Sequence, residues 1–244
     1  MAESSQRFDA IVYDFEVALA TLSEVLQHIE DAKPNGRLRV VILNNTIVAL
    51  TATIEEALRG LFREYLSILE ESFEDHRTLR LALQKSNLNC AIQDLRKYNN
   101  NEDFKTAAIL VSNLEKCLTG QSGYQLLKEQ LTYNQRNFKS QQVTEVSKNV
   151  GVSGLWQRIC DCPEIEEFTG ESVLDARVTR LTAQWNRIFE ERDLVVHRIS
   201  QASGWASDLI QLSIDLSKVV IKRIACCLSI DAEEFRNQHA NQGS

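Results

Sequence analysis

One stretch of the chain combines residue types that can move a proton and hold a phosphate: Glu191-Arg192-Asp193-Leu194-Val195-Val196-His197-Arg198. Histidine titrates close to neutral pH, so His197 is a natural general acid–base. In a helix Asp193 and His197, four residues apart, lie one above the other on the same face. A carboxylate so placed can hold the imidazole by one nitrogen and raise its pKa, leaving the other nitrogen for proton transfer. Arg192 is a fixed planar cation suited to phosphate oxygens. Five residues before His197, it sits about 140° around an ideal helix. The two meet at one phosphate only if the arginine wraps, the helix ends locally, or a second copy supplies one of them. A second reading of the same spacing is a surface ion pair, Asp193 with His197 or Arg198, closing a helix end.

Other chemistry is poorly represented. There is no glycine-rich phosphate loop, no nucleophile elbow and no histidine pair at helical spacing. His28, His76 and His239 have no spaced partner, which points to structural or solvated roles. Cys160-x-Cys162 and Cys226-Cys227 lack the paired two-residue spacing of a zinc site, as do the isolated Cys90 and Cys117. The thiols therefore read as reduced packing residues. No metal and no cofactor is expected.

The elements that must position the motif are helices. The 244 residues include 2 Pro and 9 Gly, where average usage gives roughly 12 and 17; a sheet protein needs far more turn punctuation. The net charge of −7 argues against a broad basic surface, though not against a local basic cleft. The longest uninterrupted apolar runs are a few residues, well short of a membrane span, and the polar start Met1-Ala2-Glu3-Ser4 offers no signal region. The expectation is a soluble, cytoplasmic protein with no membrane partner.

Apolar residues recurring at threes and fours predict helices over 5–32, 37–71, 73–97, 103–118, 153–160, 172–191 and 205–228. The second is the most apolar and would span on the order of 50 Å, a central strut for a bundle. Residues 119–150 turn polar and read as an insertion or mobile loop, and 231–244 as a flexible tail. The rest, 1–230, forms a single domain. Trp156, Trp185 and Trp205 fall on apolar stripes and read as core or dimer contacts. Arg180, Arg187 and Arg198 come within about 20° of one another on a continuous helix, either as a phosphate track or as an ordinary solvated face.

The string from Glu191 to His197 resembles the Arg-polar-x3-His signature of the HEPN superfamily, and its context resembles the RiboL-PSP branch. Three further features carry the likeness: the acidic middle of an apolar helix, Thr53-Ile54-Glu55-Glu56-Ala57-Leu58; the segment Asn149-Val150-Gly151-Val152 leading to Leu155-Trp156; and a helix running directly into the motif, followed by a long apolar terminal helix. Asp193 stands where asparagine is commonest, and Arg198 where glycine is frequent.

The resemblance implies an all-α bundle of long antiparallel helices with extra helices inserted between the core pairs. It also implies a homodimer that joins two motifs in one cleft. Many similar proteins are metal-independent endoribonucleases acting as toxins or antiphage-defence effectors. Carried over by position, Arg192, Asp193 and His197 are the catalytic set, with Arg187 and Arg198 on the RNA. RNA and a cognate antitoxin or defence-system component are then the expected partners. A non-catalytic interaction or nucleotide-binding module of the same fold is the alternative.

Overall fold

In the computed structural model, residues 2–97, 104–133, 137–197 and 205–240 are described, and among them there are helices and no strands. Helix α1 (Ala2–Ala32) and helix α2 (Gly36–Ser72) form an antiparallel hairpin across Lys33-Pro34-Asn35. Asn35 caps α2 by accepting the Leu38 N–H at 3.0 Å, so the side chain satisfies a backbone donor that the helix leaves orphaned. The two helices are close at Gly60, where a Cβ would make ordinary contact with the Ile11 side chain at 3.4 Å.

The last helix, α10 (Ser207–Ala240), completes a trio with α1 and α2. Leu50, Ile54, Leu58, Leu61 and Leu66 of α2 are fully enclosed, as are Val220, Ile221, Ile224 and Leu228 of α10. Burying each such side chain contributes about 1.5–3 kcal/mol relative to exposure. By length and composition alone α2 is apolar enough to cross a membrane, with a mean hydropathy of 1.3 over 18 residues. The average finds what uninterrupted runs do not. Here the apolar face of α2 serves the core.

Smaller helices fill the connection: α3 (Leu81–Lys97), α4 (Phe104–Thr119), α5 (Lys128–Tyr133), α6 (Ser140–Asn149), α7 (Leu155–Cys160) and α8 (Pro163–Thr169). Pro163 opens α8 at its first turn, where its missing N–H costs nothing. Helix α9 (Leu174–His197) then lies across α2 and α7 with Leu181, Trp185, Ile188 and Phe189 inward.

The structure differs from the periodicity reading at several places. The helix expected over 73–97 begins only at Leu81, after a short 3-10 turn at His76–Thr78, and an additional helix forms at Pro163–Thr169. Residues 119–150 hold α5 and α6 and bury Tyr124, Leu126, Leu131, Phe138, Val143, Val146 and Val150. Their backbone is satisfied by distant side chains, which a local polarity count misses. Glu70 accepts the Leu126 N–H at 2.6 Å and Asn87 accepts that of Leu127 at 2.8 Å. At the other end, α10 continues to Ala240 because Asp231, Ala232 and Phe235 stay on its buried face. Helix α9 continues six residues past 191, keeping the whole motif on one helix.

Candidate functional site

Arg187, Arg192, Asp193 and His197 all lie on α9. Its buried face ends near Phe189, and the helix then runs outward, so the motif occupies a half-buried to exposed last two turns. The chain entering α6 is folded against this end. The Trp185 indole N–H donates to the Phe138 carbonyl at 2.7 Å, and the Trp156 N–H donates to the Ser140 carbonyl at 3.0 Å. Asn186 on α9 accepts the Ser140 N–H at 2.7 Å. Phe138 is fully buried, with the Arg59 guanidinium 5.4 Å from its ring centre. Trp185 and Asn186 thus fix the segment's register on α9, and Trp156 ties it to α7.

That register delivers Asn137 and Lys139 to the motif. Asn137 sits at φ +58°, a left-handed conformation that asparagine tolerates better than most residues. Its amide oxygen accepts from Arg192 Nη1 at 3.0 Å, and its amide nitrogen donates to Asp193 Oδ1 at 3.3 Å. The Asn137 backbone N–H donates to Glu55 Oε1 at 3.2 Å, and Glu55 in turn accepts from Arg59 at 2.9 Å. The acidic middle of α2 therefore reaches the motif through one asparagine.

Asp193 accepts from Arg192 Nη1 at 3.0 Å, and its other oxygen lies 3.4 Å from Lys139 Nζ. The sequence spacing offers the Asp193 carboxylate to His197; the fold engages it with Arg192, Asn137 and Lys139 instead. His197, the last residue of α9, is exposed, and among the described residues it has no hydrogen bond or ion pair. An exposed imidazole with free nitrogens can take or give a proton to whatever docks there.

The arginine face is divided. Arg180 is paired with Glu171 at 2.9 Å, and Arg187 covers the Trp205 ring at 5.5 Å. Arg198 lies outside the described residues. Asn137, Lys139, Asn186 and Glu55 are what motif reading passes over. Only Glu55 had a signal, in the acidic interruption of α2.

The other histidines stand apart from this end. His76 is enclosed beside Asn87 and Tyr124, His239 packs edge-on against Phe73 and Phe235, and His28 is exposed. All six cysteines are free thiols. Burial pushes Cys117 and Cys160 up to about 11, leaving them poor nucleophiles. Among the described residues no three His, Cys, Asp or Glu side chains converge as metal ligands.

A family model, RiboL-PSP-HEPN, matches residues 13–229, from within α1 to within α10. The chain belongs to the RiboL-PSP-HEPN family. HEPN domains are all-α, as this fold is, and are often ribonucleases. Neither the curated proteins nor the solved structures contain a match to the chain. The matched span includes Arg187, Arg192, Asp193, His197 and Arg198, together with the Asn137 segment.

Proposed function

We propose that this HEPN protein is a metal-independent endoribonuclease, its site completed by a second copy of the chain. The observation that carries the reading is the unequal treatment of the motif's two ends. Arg192 is held in place by Asn137 and Asp193, whereas His197 is exposed and uncommitted among the described residues. About 140° separates them on the helix. Two antiparallel motifs facing each other bring one chain's His197 towards the other's Arg192.

In the reaction the RNA 2′-oxygen attacks the adjacent phosphorus and the bond to O5′ breaks. His197 of one or both chains takes the 2′-OH proton and returns a proton to O5′. Arg192 stabilises the charge that grows on the phosphoryl oxygens. Asp193, bonded to Arg192, orients it. The products are a 2′,3′-cyclic phosphate, or its 3′-phosphate hydrolysis product, and a 5′-OH. DNA lacks the nucleophile and survives. The biological setting we infer is cytoplasmic toxicity or antiphage defence, restrained by an antitoxin or another partner of the same system.

The ion pair between Arg192 and Asp193 favours one second reading, a binding module whose arginine is structural. Cleavage of total RNA in excess EDTA by wild type and His197→Ala separates the two. Cutting by wild type alone, leaving 5′-OH ends, supports the nuclease. No cutting by either protein supports the module, and cutting that survives the substitution removes His197 from the site.

A further inference from the structure

Upstream of the motif, α9 borders a cleft whose other walls are α8 and α10. Phe168, Gln184, Arg187, Trp205, Leu212 and Leu216 line it around a cavity of about 90 Å³, several times the ~10–15 Å³ that one water needs. Three observations set it apart from a surface gap. The Gln184 side-chain oxygen is buried with no hydrogen-bond partner among the described residues, a costly state unless something donates to it. The Arg187 guanidinium covers the Trp205 indole at 5.5 Å. Leu212 stays half-exposed at the rim, although α10 buries its neighbours Ile210 and Ile214.

We propose that this cleft is a subsite for one nucleobase of the RNA strand, a reading that rests on the ribonuclease proposed above. A base offers what the cleft lacks: a flat apolar face for the Trp205 indole and an N–H on its edge for Gln184 Oε1. Arg187 then lies beside the base as a cation on its face or on the adjoining phosphate. The placement suits a strand that also reaches the motif. Arg187 and His197 are ~15 Å apart along α9 and about 80° around it, with Arg192 about 140° around in the other direction, so the cleft falls angularly between His197 and Arg192. A second copy of the chain seated here would cover Leu212. It would also bury the Arg187 charge and leave Gln184 unpaired unless it brought its own donor, so a base is the better occupant.

The test uses the full chain carrying His197→Ala, so that the strand stays intact. Single-stranded oligoribonucleotides carry 2-aminopurine at successive positions. Stacking on Trp205 quenches one position, and Trp205→Leu removes that quench. Gln184→Met, close in shape but without the amide, weakens binding about tenfold, the equivalent of one hydrogen bond. An oligonucleotide abasic at the quenched position binds both proteins equally weakly. Circular dichroism and a thermal melt confirm that each variant keeps its helices.

Tight binding that ignores both Gln184→Met and the missing base overturns the subsite, as does the absence of binding to any oligonucleotide. A change in self-association with RNA binding intact assigns the cleft to a second copy. Cleavage by otherwise wild-type protein is scored separately. A nuclease whose rate and sequence preference ignore Gln184→Met keeps its activity and loses the subsite. Base-dependent binding without cleavage keeps the subsite and loses the nuclease.

Discussion

Two aspartates, Asp231 and Asp193, each sit between two cations and a neutral hydrogen-bonding group, and the resemblance ends there. Asp231 accepts from Arg80 at 2.6 Å, Arg158 at 2.8 Å and the Tyr65 hydroxyl at 2.6 Å, with a side chain 8% exposed. The cations are themselves committed. Arg80 also donates to the Gly151 carbonyl and lies over Phe235, and Arg158 donates to the Cys227 carbonyl. Gly151, at φ +87°, is needed here because a Cβ would come within 2.9 Å of Arg80 Cδ. Burial, and then the Asp231 charge, push the Tyr65 hydroxyl well above its ordinary range, so it remains a donor. Asp193 has the same kinds of partner, but its side chain is 28% exposed and its cations reach solvent. A closed cluster ties α2, α7 and α10 together. An open one can exchange a partner for an incoming phosphate.

The largest expected effect separates the two on stability. Asp231→Ala strands two arginines and a tyrosine at a buried site and is expected to cost about 3 kcal/mol. For a domain of this size that lowers the melting temperature by roughly 6–12 °C. Asp193→Ala, at an open site, is expected to cost less than about 1 kcal/mol. Thermal melts followed by circular dichroism measure both. Equal shifts would remove the distinction drawn between them.

A finer cut is Tyr65→Phe, which deletes one hydroxyl and leaves Arg80 and Arg158 on the carboxylate. Loss of a hydrogen bond to a buried charge costs about 1.5–3 kcal/mol, below the aspartate's effect. A denaturant midpoint that falls with an unchanged slope is the expected signature. A neutral result would mean that the two arginines hold Asp231 without the tyrosine.

How far these clusters were legible in the sequence depends on the distance between partners. Periodicity located α2 and α9 because their apolar stripes are local records of a buried face. It also read Trp156 and Trp185 as core or dimer contacts, and both are buried within the fold. It said nothing of their N–H groups, whose acceptors are 16 and 47 residues away. The motif spacing made Asp193 look like the orienter of His197. The fold gives that carboxylate to residues 137–139, more than 50 positions earlier. The Asp231 cluster was invisible for the same reason, and a polar Asp-Ala-Glu-Glu run read as tail. Local composition records which way a side chain faces, but not which remote group it meets.

Asn137 sharpens the comparison from the catalytic side. Asn137→Gly keeps the left-handed backbone and removes the amide that spans Arg192 and Asp193. Within the proposed ribonuclease, kcat is expected to fall about tenfold, the size of one lost positioning hydrogen bond, with the melting temperature almost unchanged. Asn137→Asp retains an acceptor for Arg192 but sets a second carboxylate beside Asp193, so it should restore little. A collapse in stability instead would make Asn137 a part of the fold like Asp231.

The smallest effect concerns a third polar cluster, His76 with Asn87, Cys117 and Tyr124. His76 is enclosed, and Asn87 Nδ2 lies 3.3 Å from its Nε2. Burial lowers its pKa below the ordinary value, opposed in part by a hydrogen bond to the Cys117 backbone and by the Asp75 charge. The folded state therefore holds this proton less tightly than the unfolded chain does. The resulting stability is fully present above the unfolded pKa of about 6.5 and is lost as pH falls through the lowered folded value. Melts from pH 7.5 to 5 should show a decline that His76→Gln, neutral throughout, makes shallower. Carboxylates elsewhere contribute mainly at lower pH, so the difference between the two curves isolates this histidine. Parallel curves would mean that His76 takes up its proton without opening the packing around Tyr124, and that this cluster, like the one at Asp193, yields to a change of charge.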